Sequence, residues 1–221
     1  MKIVIQCAAT KNPTPFGAGF RTVDNRLVKF VANPKLAPNS EKYAYVNPDD
    51  LSDGQQTWRE RLLSYNKEAA LNPLRITPAY KLYANSAYQD LVKKFGLDQV
   101  FILSAGWGMI SANFLTPDYD ITFSKAKNVE AYCRRNKSDK YADICQLPDD
   151  GEPIVFLGGK DYQPLFRQLT KDLKGVKKVF FNALDKPSPE YGFCFERYVT
   201  QQKTNWHYAC AQDIILGKIS I

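Results

Sequence analysis

Four short apolar runs constrain the fold of this chain more than any other feature of its sequence. They are Ile3–Ile5, Val100–Leu103, Ile154–Leu157 and Val179–Phe181, and each is followed by small or polar residues. Because no polar residue alternates with the apolar ones, the runs are typical of strands buried on both faces, as in a parallel sheet.

Helical patterns separate the later runs. One helix is predicted from about Ser86 to Gly96, and a second over Tyr162–Leu173, with Asp161 as its N-cap and Gly175 after it. Repeated strand-helix-strand order implies right-handed crossovers and a sheet covered on both faces. We therefore predict an α/β fold, a three-layer α/β/α arrangement with a central four-stranded parallel sheet.

Two stretches depart from this simple repeat. Residues 12–75 contain many prolines and turn residues and one possible helix at Trp58–Leu63. We interpret them as a long insertion within a single domain of residues 1–221, and as a source of substrate-specific loops. The other stretch, residues 124–150, is rich in lysine and arginine.

Composition narrows the classes of function. The 30 basic and 23 acidic residues give a formal charge of +7, which favours an anionic partner, nucleic acid first. The five cysteines form no C-x-x-C pair and the chain has one histidine, which argues against a structural zinc site and a disulfide framework. The sequence has no long apolar run and no signal-peptide pattern, so we expect a cytoplasmic protein without a membrane partner. We also expect a monomer.

Candidate functional residues follow the four predicted strands, because ligands of open α/β sheets bind beyond the carboxyl ends of the strands. They are Gln6, Cys7, Thr10 and Lys11 after the first run, Ser104, Gly106, Trp107, Tyr119 and Asp120 after the second, Lys160 after the third, and Asn182, Lys186 and Ser188 after the fourth.

Part of the sequence resembles the YaaA-like family of bacterial and phage proteins. The resemblance lies in Cys7-x-x-x-Lys11, Pro78-Ala79-x-x-Leu82-Tyr83-x-x-Ser86-x-Tyr88, Ile102-Leu103-Ser104-Ala105-x-x-Gly108 and Tyr119-Asp120-x-Thr122. These motifs cover roughly the first half of the fold, and they imply no particular reaction.

The carboxyl half is similar to the last two strands of the uracil-DNA glycosylase superfamily. The similar residues are Ile154–Gly159, the helix after them, and Val179–Asn182 followed by Lys186-Pro187-Ser188-Pro189. In that superfamily the corresponding loop presses into the DNA minor groove beside a flipped nucleotide. Lys186 replaces the family's histidine, and Gln6–Thr10 replaces its water-activating motif, so the resemblance implies the fold and DNA binding rather than a preference for uracil.

The catalytic hypothesis centres on Asp120. Breaking an N-glycosidic bond develops positive charge on the sugar, which a carboxylate can stabilise while it orients water. Asp120 can equally be a loop-capping residue, and Asp118 and Asp161 are the alternatives to it. Lys11 is read as a solvated lysine, a phosphate contact or an amine nucleophile.

Other strand-end residues are assigned to DNA binding. Trp107 is either a core residue or a stacking plate for an extruded base, and Asn182 either reads a base edge or forms a turn. The loop of Lys186 and Ser188 is either a stiff turn or a minor-groove wedge. Neutralising the strand-end lysines, Lys160 among them, should weaken DNA binding more than neutralising Lys174 or Lys177.

The leading functional hypothesis is a DNA glycosylase that flips out a modified base, such as a bulky phage-type base, and leaves an abasic site, without metal or organic cofactor. Its partner would be double-stranded DNA, and the resemblance to phage-associated families implies a role in antiviral defence. Two alternatives remain: a base-exchanging transglycosylase or other RNA-base enzyme, and a non-catalytic nucleic-acid-binding stress protein.

Overall fold

The four apolar runs form neighbouring strands of one sheet. The computed structural model describes residues 1–68, 71–184 and 187–221, so Lys186 lies outside the described residues. The strands are β1 (Lys2–Gln6), β2 (Leu27–Val31), β3 (Tyr43–Val46), β4 (Thr77–Pro78), β5 (Val100–Ser104), β6 (Gly108–Ser111), β7 (Leu115–Thr116), β8 (Tyr119–Asp120), β9 (Ile144–Cys145), β10 (Ile154–Leu157), β11 (Lys177–Phe181) and β12 (Phe193–Arg197). The helices are α1 (Trp58–Glu68), α2 (Ala79–Leu82), α3 (Ala87–Phe95), α4 (Gln163–Thr170) and α5 (Trp206–Ile215).

The main sheet is mixed but mostly parallel. Its seven strands, among the described residues, follow the order β12-β11-β10-β1-β5-β6-β9, and only β5 and β6 are antiparallel neighbours. The described residues also contain five α-helices, so the protein has an α/β fold. The predicted strands β11, β10, β1 and β5 lie side by side and parallel, and the sheet extends beyond them on both sides.

The sheet is wider than predicted because its outer strands have weak sequence signals. β12 carries polar residues on its exposed face, and β9 has only two residues. β6 begins at Gly108, whose φ of +90° suits the turn from β5. A Cβ at this position would lie 2.4 Å from the Ile144 carbonyl oxygen of β9, so only glycine lets the two strands approach.

The core sits along the middle strands. Ile3, Val4 and Ile5 of β1 are fully buried, and the Phe156 ring of β10 stacks on Phe166 of α4 with centroids 4.3 Å apart. On the other elements, α3 contacts α5 and β5, and α5 contacts β10. No helix in the described ranges is both long and apolar enough to cross a membrane.

Both predicted helices form, and the structure corrects two details of the second one, α4. α3 ends at Gly96, whose φ is +91°, as the glycine stop signal predicts. α4 ends at Thr170, three residues earlier than predicted, and it has no side-chain cap. Asp161, predicted to cap α4, instead pairs its carboxylate with Lys137, with 2.7 Å between Oδ1 and Nζ.

The insertion of residues 12–75 contributes to the core. It contains β2, β3 and the predicted helix α1, and β2 pairs in parallel with both β3 and β8. Phe30, Trp58 and Leu62 are buried, and the Phe30 ring lies 4.9 Å from the Trp107 ring, centroid to centroid. The insertion therefore packs directly on the segment that follows β5.

Candidate functional site

A cleft of about 1060 Å³ opens at the carboxyl ends of β1, β10 and β11. This is the end of a parallel sheet at which α/β proteins bind ligands. Five of the predicted site residues lie on its wall: Gln6, Cys7, Thr10, Lys160 and Asn182. Residues up to 176 positions apart in the chain thus meet in one site of ligand size.

Positive partial charge faces this cleft. The first residues of α4 and of α5 are on its wall, and neither helix has a side-chain cap, so the first-turn N–H groups of both helices have no capping side chain. Lys160 and Lys203 add two ammonium groups, and neither pairs with a carboxylate of the described residues. These groups favour an anionic ligand such as a phosphate.

The three candidate carboxylates separate in space. Asp161 lies on the cleft wall, whereas Asp118 and Asp120 are not among its lining residues. Asp120 pairs with Lys29, with 2.9 Å between Oδ2 and Nζ, and lies 4.0 Å from the Lys11 ammonium. Asp161 is therefore the candidate carboxylate on the cleft wall, where its Oδ1 is paired with Lys137.

Lys11 is held by the protein itself. Its side chain is 11% exposed, its ammonium donates to the Tyr119 carbonyl, and it lies over the Tyr119 ring at 4.6 Å. Asp118 is 3.7 Å from the same ammonium. This arrangement makes Lys11 a link between the first loop and the β8 segment, and it does not support Lys11 as an amine nucleophile.

Hydroxyl groups and a thiol lie at and beneath the cleft floor. Cys7 Sγ is 3.2 Å from the Tyr162 hydroxyl, and Ser104 donates to the Tyr119 hydroxyl at 2.8 Å, which also contacts the Tyr83 hydroxyl at 2.9 Å. Burial raises the pKa of Tyr83, Tyr119 and Tyr162 well above the usual value near 10. The three tyrosines are therefore neutral, and Ser104 and Tyr119 are not among the residues that line the cleft.

Trp107 is a core residue, which corrects its assignment as a stacking plate. Its side chain is fully buried, and Arg59 donates to the Gly106 carbonyl at 3.1 Å and to the Trp107 carbonyl at 3.2 Å. The arginine fixes the β5–β6 turn with the indole pointing inward. Gly106 is buried as well, and a Cβ at this position would lie 3.1 Å from the Tyr119 ring.

The loop after β11 is only partly described. Pro187 lies on the cleft wall and Ser188 is exposed, while Lys186 is outside the described residues. Lys177, predicted to lie on a solvated face, is instead 3% exposed and donates to the Leu173 carbonyl. The contrast between strand-end and surface lysines is therefore tested better with Lys174, which is exposed.

The carboxyl-terminal segment supplies wall residues that the sequence did not predict. Lys203, Asn205, Trp206, His207 and Tyr208 line the cleft because α5 packs against α3 and β10. The Trp206-His207-Tyr208 run was the available signal, and it favoured packing over catalysis. Tyr208 joins the site through a 3.2 Å contact between its hydroxyl and that of Tyr88.

His207 is both packed and part of the wall. It is 2% exposed, and its Nε2 has no hydrogen-bond partner among the described residues. Burial lowers the pKa of its imidazole from 6.5 to about 4. The ring is therefore neutral at neutral pH.

We expect acid to destabilise the protein through His207. Between pH 6.5 and about 4 the imidazole of His207 binds a proton in the unfolded chain but stays neutral in the folded one. The free energy of unfolding therefore falls as pH falls, by up to about 3 kcal/mol. Urea unfolding of the wild type and of His207→Asn at several pH values measures this. The difference in the free energy of unfolding between the two proteins should be constant above pH 6.5 and should change progressively below it. Because the chain has one histidine, a difference that stays constant at all pH values would contradict the expectation.

Compared with protein-family models, with curated proteins and with solved structures, this chain matches none of them. The site is therefore interpreted from its own residues.

Proposed function

We propose that this protein is a DNA glycosylase that takes a flipped, modified nucleotide into the cleft and hydrolyses its N-glycosidic bond, leaving an abasic site. The observation that carries the proposal is the cleft itself, which opens at the strand ends with a volume of about 1060 Å³. That volume is at the upper end of the range for small-molecule sites. It leaves room for a base larger than the four ordinary ones.

The charge around the cleft supports a nucleic-acid substrate. The first turns of α4 and α5, Lys160 and Lys203 all favour negative charge. Phosphate contacts of this kind supply most of the affinity of proteins for DNA. An extruded nucleotide would place its flanking phosphates against these groups and its base toward the floor.

Asp161 suits the chemical step. A carboxylate on the wall can stabilise the oxocarbenium-like sugar of the transition state and orient the attacking water. Asp161 is on the wall and 43% exposed; its Oδ1 pairs with Lys137, which leaves Oδ2 to meet sugar and water. We accordingly assign the catalytic role to Asp161 rather than Asp120.

The arrangement of crossovers is consistent with the uracil-DNA glycosylase type of fold. The connection from β1 through α3 to β5 runs toward the β9 edge of the sheet, and the connection from β10 through α4 to β11 runs toward the β12 edge. With right-handed connections, helices on crossovers that run in opposite directions cover opposite faces. The expected fold is therefore a three-layer α/β/α domain. We propose that it acts as a monomer and that its biological substrate is modified phage DNA.

The experiment that tests the function is a base-release assay. Purified protein is incubated with duplexes that carry different modified bases, released bases are identified by mass spectrometry, and abasic sites are revealed by alkali cleavage. We expect a free base and an abasic site in equal amounts from at least one duplex. Incorporation of labelled free base without abasic sites would indicate base exchange, and binding without release would indicate a non-catalytic protein; either result refutes hydrolysis.

The wall lysines give a second expectation. Replacing Lys160 and Lys203 together by alanine should weaken DNA binding and reduce the slope of log K against log salt by about 1 to 2, since each phosphate contact contributes about 0.9. Fluorescence anisotropy between 50 and 200 mM salt measures the slope. Lys171→Ala with Lys174→Ala removes the same charge from an exposed surface and should leave the slope unchanged; equal slopes in both double variants would refute the assignment.

A further inference from the structure

Gln6 has a side-chain amide whose orientation is fixed at the cleft. Its Oε1 accepts a hydrogen bond from the Gly159 N–H at 2.6 Å, and its main-chain carbonyl accepts one from the Tyr88 hydroxyl at 2.8 Å. A backbone N–H can only donate, so the oxygen of the amide must face Gly159. The Nε2 group, with two N–H donors, is left to point elsewhere.

Those donors are available to a ligand. Gln6 lines the cleft, and its Nε2 makes no hydrogen bond with the described residues although it is not buried beyond reach of solvent. Gln6 is the last residue of β1, the middle strand of the main sheet, so it lies at the sheet edge on which the cleft opens. It is half-buried, whereas Lys160 and Lys203 are exposed, so Gln6 lies deeper in the cleft than these two lysines.

The depth of Gln6 determines which part of a base it meets. A flipped nucleotide enters base first, with its sugar and phosphates at the mouth near Lys160 and Lys203. The exocyclic group opposite the glycosidic bond then reaches the floor. In keto bases that group is a carbonyl oxygen and accepts hydrogen bonds, whereas in amino bases it is a donor.

We propose that Gln6 selects the substrate: its Nε2 donates to the exocyclic carbonyl oxygen of a keto base, derived from uracil, thymine, guanine or hypoxanthine, and excludes amino bases. This inference rests on the proposed function, since it takes the ligand to be a nucleobase. An amino group at the same point would face two donors with no acceptor, and a buried donor without a partner is strongly unfavourable.

The test is calorimetric titration of the full-length protein with two pairs of free bases, hypoxanthine with adenine and uracil with cytosine. We expect the keto member of each pair to bind at least about tenfold more tightly to the wild type. Gln6→Glu keeps an oxygen for the Gly159 N–H but replaces the donor by an acceptor, so the preference should disappear or reverse. Gln6→Leu should lower the affinity for keto bases about tenfold and leave the amino bases little changed.

Asn85→Asp is the matched control, because it adds the same charge to the cleft wall and keeps the oxygen that accepts from the Ala87 N–H. It should keep the keto preference. Loss of the preference in Asn85→Asp, a wild type that prefers amino bases, or no binding of any base would each overturn the inference. Keto-selective binding without base release from any duplex would refute the glycosylase and leave the role of Gln6 standing; equal release from keto and amino duplexes would refute Gln6 alone.

Discussion

Replacement of Asp161 by asparagine should lower the rate of base release by about 100-fold to 10,000-fold, the range attributed to a positioned acid-base group. Asparagine keeps the shape of the side chain but removes the negative charge that would face the developing oxocarbenium ion. The rate should be measured in single turnover, with DNA affinity measured separately by anisotropy. Affinity should change by less than about threefold, because the carboxylate makes no attractive contact with phosphate.

Two other aspartates make this result specific. Asp172 is exposed just beyond the far end of α4, and Asp172→Asn should leave the rate unchanged. Asp120→Asn removes the carboxylate that the sequence favoured, which pairs with Lys29. A rate that falls in Asp120→Asn and stays normal in Asp161→Asn would show that the catalytic group has been assigned to the wrong residue.

Arg135→Met should lower the free energy of unfolding by about 3–5 kcal/mol. Arg135 and Asp143 form a bidentate pair, with N–O distances of 2.8 and 2.6 Å, and their side chains are only 3% and 2% exposed. Arg135 also donates to the Ala105 carbonyl at 2.8 Å. The methionine variant leaves the Asp143 carboxylate buried without its counter-ion, which is costlier than the loss of the pair.

Urea denaturation of a double variant separates these two contributions. Arg135→Met with Asp143→Leu removes both charges, so it should recover most of the lost free energy of unfolding. Arg26→Met, which breaks the exposed pair with Asp24, should leave that free energy almost unchanged. A double variant no more stable than Arg135→Met would contradict the explanation.

The central part of the fold could be predicted because its signals are local. Buried strands such as Ile154–Leu157 are read from four consecutive apolar residues, and Gly96 marks the end of α3 through its own backbone conformation. The outer strands could not be predicted in this way. β6 and β9 pair because Gly108 lets them approach, and that contact is between segments separated along the chain.

The same distinction applies to the site. Gln6, Lys160 and Asn182 could be placed at one edge because each follows a parallel strand, and parallel strands end together. His207 could not, since it reaches the cleft only when α5 packs on α3 and β10. Trp107 shows the reverse error: the sequence puts it after a strand end, but its side chain is buried in the core against Phe30, 77 positions earlier.

Arg59 and Arg135 together bind three successive carbonyls, those of Ala105, Gly106 and Trp107. None of these bonds is local, since the partners lie 30 to 48 positions apart in the chain. Within the β5–β6 hairpin, the Ser104 hydroxyl accepts from the Gly106 and Trp107 N–H groups, whereas these three carbonyls find their partners outside it. Those partners are in place only when an earlier and a later segment pack on this edge, so its closure depends on contacts of high sequence separation, the kind that form slowly in folding.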